Sequence, residues 1–145
     1  MRPEGPSASA RAGGVIFLVS NETWPECWKR SLLGMQHKHR AKVCAIREGT
    51  TLFAYNFNER ALYDGLYATS NGAERIDPSA WNGKFPFQVR FGVRALRKIE
   101  LPRIASQLIW EPTAGGGRRE FHLELSADQV AGLLRSFDRF GVKIQ

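Results

Sequence analysis

Tryptophans and arginines are the residues of this chain that invite chemistry, and residues 80–93, "AWNGKFPFQVRFGV", hold both in a revealing order. Phe85, Phe87, Val89, Phe91 and Val93 alternate with Gln88, Arg90 and Gly92, and Arg94 follows. Period-two alternation predicts a strand with one apolar and one basic face. Trp81 stands just before it, after "DPSA" in a turn-rich loop. A loop-borne aromatic beside a basic strand is one way to stack an unpaired base. The other role that fits is a plug at the end of a barrel. Trp24 and Trp28 are four residues apart and share one side of a helix, which suits a core role.

Between Lys84 and Lys98 lie Arg90, Arg94 and Arg97 and no acidic residue. Lys38, Arg40 and Lys42 form a second basic run, and Arg118 and Arg119 a third. If these converge they attract phosphates. If acidic side chains arrive from other strands, they are a solvated face. The chain as a whole carries 21 basic and 14 acidic residues, a net charge of +7, which favours polyanionic partners or simple solubility.

No catalytic set emerges. No nucleophile elbow or paired-carboxylate context is present, and "GGG" at 115–117 lacks the Lys-Ser/Thr of a phosphate loop. His37 and His39 alternate, but nothing indicates a third ligand, so no metal is expected. No cofactor is implied. Cys27 and Cys44 form no CxxC and predict no disulfide scaffold, so cytosol or nucleus is the expected compartment.

These residues need a scaffold, and 145 residues with 43% hydrophobic content suffice for one domain with a real core. No apolar run is long enough to span a bilayer, so no membrane insertion is expected. Residues 1–13 are small, kinked and charged and read as a flexible arm, with the domain at 14–145. Strands are predicted at 14–19, 51–57, 62–69, 85–95 and 121–125. A helix with Thr23 and Glu26 at capping-box spacing runs through Leu32 toward Gly34, followed by a basic loop. A second helix starts at Ser126, again with Gln129 at capping-box spacing, and Gly141 suits its C-terminal cap. Leu133, Leu134 and Phe137 on its apolar stripe are expected to share one core with the odd residues of 85–93. The order gives an α+β fold: a mostly antiparallel curved sheet or barrel with helices packed around it.

Read together, "GVIFLVSNETWPECW", "LFAYNF", "YDGLYAT", "IDPSAW" and "FPFQVRFGV" resemble the plant DCD (development and cell death) domain over about residues 14–140. The chain departs from that family at "LLGM", where the family has "FGLP", and at Phe87, where it has Ala. The resemblance implies a role in plant stress responses, development and programmed cell death.

The order of elements also resembles YTH domains and their PUA-like relatives, which bind modified nucleotides. That likeness implies a PUA-like (YTH-like) barrel. It puts Ser20 and Asn21 where base-edge contacts would be, Met35 where a cage tryptophan would be, and Trp81 on a cage aromatic position. It puts Arg118 or Arg119 near a phosphate-binding arginine. With Arg90 and Arg94 on the basic strand, these are the expected site residues. The expectation is a non-catalytic module that recognises single-stranded RNA or a modified nucleotide. The alternative is a protein-interaction module in stress and cell-death signalling.

Overall fold

A computed structural model describes residues 13–113 and 119–144. Strand β1 (Gly14–Val19) leads into helix α1 (Trp24–Arg30) and strand β2 (Leu32–Met35). A 3-10 turn, His37–His39, and a short helix α2 (Arg40–Cys44) follow. Then come β3 (Thr51–Asn56), β4 (Ala61–Ala68), β5 (Ala73–Glu74), a 3-10 turn at Ala80–Gly83 and the long β6 (Phe87–Glu100). Two 3-10 turns, Leu101–Arg103 and Ala105–Gln107, precede β7 (Trp110–Pro112), β8 (Arg119–Phe121) and β9 (Glu124–Leu125). Helix α3 (Ala127–Phe140) and β10 (Val142–Lys143) end the described chain.

The main sheet runs β10-β6-β4-β3-β1-β9 and curls into a half-barrel. Only the β1–β3 pair within that order is parallel, because α1, β2 and α2 carry the chain across between them. β2 and β5 also pair with β6, so β6 is the strand on which the whole sheet turns. Register sorts the side chains. Leu52, Ala54, Tyr63 and Leu66 share one face, where Trp24 of α1 meets Tyr63, while Phe53 stacks on Phe137 of α3 across the other face, centroids 6.3 Å apart.

The strand that opened the sequence reading is present and longer than expected. Phe87, Val89 and Phe91 are buried in one core with Leu133 and Phe137, and Phe85 and Leu134 pack half-buried against it. Val93 departs from the expectation: it is 40% exposed. Its pairing with Leu66 is in register with Phe91 and Ala68, and an irregularity follows it, where one residue of β4, Gly65, faces residues 94–96 of β6 between the pairs Leu66–Val93 and Asp64–Arg97. Gly65 admits the bulged strand closely, with φ at 92°; a Cβ there would lie 2.1 Å from the Ala95 carbonyl oxygen.

Three other expectations are corrected. The first helix stops at Arg30, where Ser31 turns left-handed (φ 51°), and residues 32–35 form a strand rather than a last helical turn. That lets Leu32, Leu33 and Met35 be buried together while their backbone pairs with β6, which a helix would not allow. The basic loop after it is a 3-10 turn running into α2. The single strand expected at 121–125 is split between β8 and β9. The capping box at Ser126 and Gln129 forms as expected, and Gly141 caps the helix end in an extended conformation, its N–H donating to the Phe137 carbonyl. The glycine turn at 115–117 lies outside the described residues.

Candidate nucleic-acid interface

Trp81 is held by three elements at once. Its backbone N–H donates to Glu26 Oε2 of α1 at 2.7 Å and its indole Nε1–H to the Thr23 carbonyl at 3.4 Å. Its ring meets Phe85 edge-on at 5.6 Å and presses on Gly34 of β2, where an added Cβ would lie 2.7 Å from the ring. The loop is clamped by Arg30, whose guanidinium reaches Glu26 at 2.9 Å, Asp77 at 2.5 Å and Ser79 at 3.3 Å. Ser79 and Arg30 together hold the Asp77 carboxyl below the usual carboxylate range. Trp81 is 7% exposed and Met35 4%. Of the two roles the sequence allows Trp81, this burial fits the plug rather than the open stacking ring, and Met35, expected at a cage position, is a core residue of β2.

The predicted edge-reading pair is partly committed. The Ser20 hydroxyl accepts from the Thr23 N–H at 3.1 Å while the Thr23 hydroxyl accepts from the Ser20 N–H at 3.0 Å, so the expected Thr23–Glu26 box is replaced by a Ser-Thr turn. Asn21 is exposed; its Oδ1 accepts from the buried Asn56 amide at 2.9 Å and its N–H donates to Asn58 Oδ1 at 2.7 Å. A fixed carboxamide oxygen sets the orientation of the whole amide.

The basic strand is largely spent inside the fold. Arg90 donates to the Arg30 carbonyl at 2.9 Å. Arg97 grips the buried Asp64 with two hydrogen bonds, 3.1 and 2.7 Å, and Asp138 of α3 at 2.7 Å, which push its pKa up. Desolvation raises the Asp64 carboxyl even against that partner. Lys98 lies 3.6 Å from Glu59. Arg94 remains exposed, its guanidinium 4.2 Å from the Tyr67 ring centre. Arg118 lies outside the described residues; Arg119 contributes a β8 backbone paired with Pro112.

The aromatics that the spacing assigned to the core do pack against it, and each keeps part of its ring exposed. Trp24 and Trp28 meet edge-on at 5.2 Å, Trp24 lies 5.4 Å from Tyr63, and Trp28 meets Phe91 at 5.4 Å. Both tryptophans are half-buried. Lys98 Nζ stands 5.9 Å from the Tyr63 ring centre, and the Tyr63 hydroxyl donates to Glu59 at 2.5 Å. Burial and this carboxylate push the tyrosine pKa up, which keeps it a donor. The result is a tier of rings along α1 with Asn21 at one end and Lys98 beside it. The spacing of Trp24 and Trp28 marked their shared side of α1, while Tyr63 and Lys98, from β4 and β6, carried no sequence signal of joining them.

A cavity of about 180 Å³ lies away from both groups, at the start of β1 and β3, lined by Lys42, Arg47, Glu48 and Glu124. Among the described residues no cluster of His, Cys, Asp or Glu could hold a metal. Cys27 is buried and its thiol is pushed up to about 12, so it is inert at neutral pH.

The sequence profile of the development and cell death domain matches residues 13–137. The chain is 40% identical to B2 protein of Daucus carota over 87% of its own length and 62% of that protein's. It is 42% identical to the DCD domain-containing protein NRP-B of Glycine max over 54% of its length and 26% of that protein's. It thus spans under two thirds of these relatives. Among solved structures it superposes on the YTH domain-containing protein Mmi1 in an RNA complex, with TM-score 0.60, 14% identity, and 84% and 78% of the two chains covered. The YTH domain of Zygosaccharomyces rouxii MRB1, solved with N6-methyladenosine RNA, superposes with TM-score 0.54, 16% identity and 86% of each chain.

Proposed function

Since the chain belongs to the development and cell death domain family, with a YTH-like fold, we propose that it is a non-catalytic module that binds single-stranded RNA on the tier of rings along α1. The observation that carries this reading is the half-open pair Trp24 and Trp28 beside Tyr63, with Lys98 at its ring. Flat rings give bases a stacking surface, and a nearby cation serves the phosphates. In this reading the exposed Asn21, its amide oriented by Asn56, meets a base edge, and Arg94 adds an exposed cation on β6. The neighbours solved with RNA support the reading through shared fold.

The test is fluorescence anisotropy with a labelled single-stranded RNA at two salt concentrations. The expected log-log slope is about −0.7 per phosphate neutralised. Lys98→Gln and Arg94→Gln should each weaken binding and flatten the slope. Absence of binding at low salt to RNAs of mixed sequence would overturn the proposal.

A second reading has its own observation. Leu18 and Phe57 are 46% and 53% exposed at adjoining ends of β1 and β3, the Phe57 N–H donating to the Val19 carbonyl. An apolar spot of this kind, with Trp81 closed, favours a protein partner in stress and cell-death signalling. Leu18→Ser with Phe57→Ser would then abolish partner binding and leave RNA affinity untouched.

A further inference from the structure

The structure points to a phosphate site away from β6, and we propose that it is the turn His37–Lys42, with Lys38, Arg40 and Lys42 as its cations. The inference deepens the RNA reading and rests on it for the source of the phosphate. The reason lies in which cations the fold has already used. On β6, Arg90 and Arg97 are each held by hydrogen bonds to oxygens within the domain. Lys38, Arg40 and Lys42 are in no ion pair among the described residues, and Lys38 and Arg40 are exposed. No acidic residue occurs from Gly34 to Arg47.

The turn is also built rather than loose. His37 meets the ring of Phe87 edge-on at 5.2 Å, and Arg40 sits 5.9 Å over the same ring. Phe87 is 1% exposed and belongs to the strand that organises the sheet, so both side chains rest on a fixed support. Backbone hydrogen bonds close the segment: the His39 N–H donates to Gln36 and the Ala45 N–H to Ala41. His39 sits in the middle with its Nδ1 buried and unpartnered. Burial, then the charges of Lys42 and Lys38, hold its pKa down, with Glu120 of β8 pulling the other way. Two cations acting on one imidazole with a single opposing carboxylate is the arrangement an arriving dianion or phosphodiester relieves. An unpaired cationic cluster of this kind is stabilised by whatever anion docks.

The ligand chemistry is a phosphate group. It comes either from the backbone of a bound RNA or from free phosphate, and the two are separated by experiment. The His39 ring is followed by NMR while inorganic phosphate, and separately a single-stranded RNA, are added to the full chain. RNA affinity is measured against salt for wild type, for Lys38→Gln with Arg40→Gln, and for Lys143→Gln on β10 as a control. The expected result is a rise in the His39 pKa with ligand and tighter binding at about pH 6 than at about pH 8. The double variant should lower the log-log slope by about 1.4, two phosphates' worth on a single strand, with the control unchanged.

An unchanged slope in the double variant, with wild type still binding RNA, overturns the inference and leaves the RNA reading standing. A response of His39 to inorganic phosphate without any RNA binding keeps the site, assigns it to free phosphate and sinks the RNA reading. No response to either ligand overturns both. Folding of each variant is checked by its melting temperature, which exposed Lys→Gln and Arg→Gln changes should move little.

Discussion

Trp81 is bound to α1 and the pair Trp24–Trp28 belongs to it, and the ring from the polar loop is the more deeply enclosed. Trp81 comes from a polar, turn-rich loop and ends up 7% exposed, hydrogen-bonded through its backbone and its indole. Trp24 and Trp28 come from a helical stripe and stay half open. Local polarity reports what a loop is made of. It does not report what the loop is folded onto, and here Glu26 and Arg30 reach out from α1 to draw the loop in. The lesson is that a buried ring and a presented ring are told apart by the polar groups that hold their backbone.

The comparison breaks most visibly in stability. Trp81→Ala should cost about 3–5 kcal/mol, as for other buried tryptophans, and thermal melting reads it. A variant that melts like wild type while losing RNA affinity would return Trp81 to the binding site. Next in size is Trp28→Ala. It should cost about 1–3 kcal/mol in RNA binding, roughly tenfold or more, with a smaller shift in melting temperature than at Trp81. Equal losses of stability at both positions would erase the distinction.

Smaller again is Glu26→Gln, which keeps an acceptor for the Trp81 N–H but removes the charge that Arg30 meets. A loss of about 1 kcal/mol is expected in denaturant unfolding. The pH dependence sharpens the same point. Asp77 has a folded pKa below its unfolded value, through Ser79 and then Arg30, so its contribution is present above the unfolded pKa and is lost as pH falls through the folded one. Melting followed from neutral pH down through the carboxylate range should show that loss, and Asp77→Asn should flatten it. Asp64, raised by burial, acts in the opposite sense: its contribution is present below the unfolded pKa and is lost as pH rises through the folded one.

Much of the architecture was legible because it rests on local rules. The alternation of Phe87, Val89 and Phe91 marked the core strand, and Ser126 with Gln129 marked the start of α3. The strand at 32–35 was not legible, since Leu32 continues the helical spacing of α1 and only the partner β6, more than fifty residues on, makes a strand of it. Likewise, the irregularity that follows Val93 depends on a glycine, Gly65, that lies on another strand. The charges followed the same division. An acid-free run of sequence at 84–98 did not become an acid-free surface, because Asp64, Glu59 and Asp138 arrive from elsewhere. The run at 37–42 kept its charge because none of the described carboxylates pairs with it.

β6 joins these two halves, and that sets a length scale. Phe87, which props the cationic turn, and Lys98, which stands at the tier of rings, are eleven residues apart on one strand, at most about 36 Å along it at about 3.3 Å per residue. A chain of only a few nucleotides can occupy one end or the other. A longer one occupies both, and its second contact is made at the high effective concentration that tethering supplies. Affinity should therefore rise in a step, rather than smoothly, as the oligonucleotide grows long enough to bridge the strand.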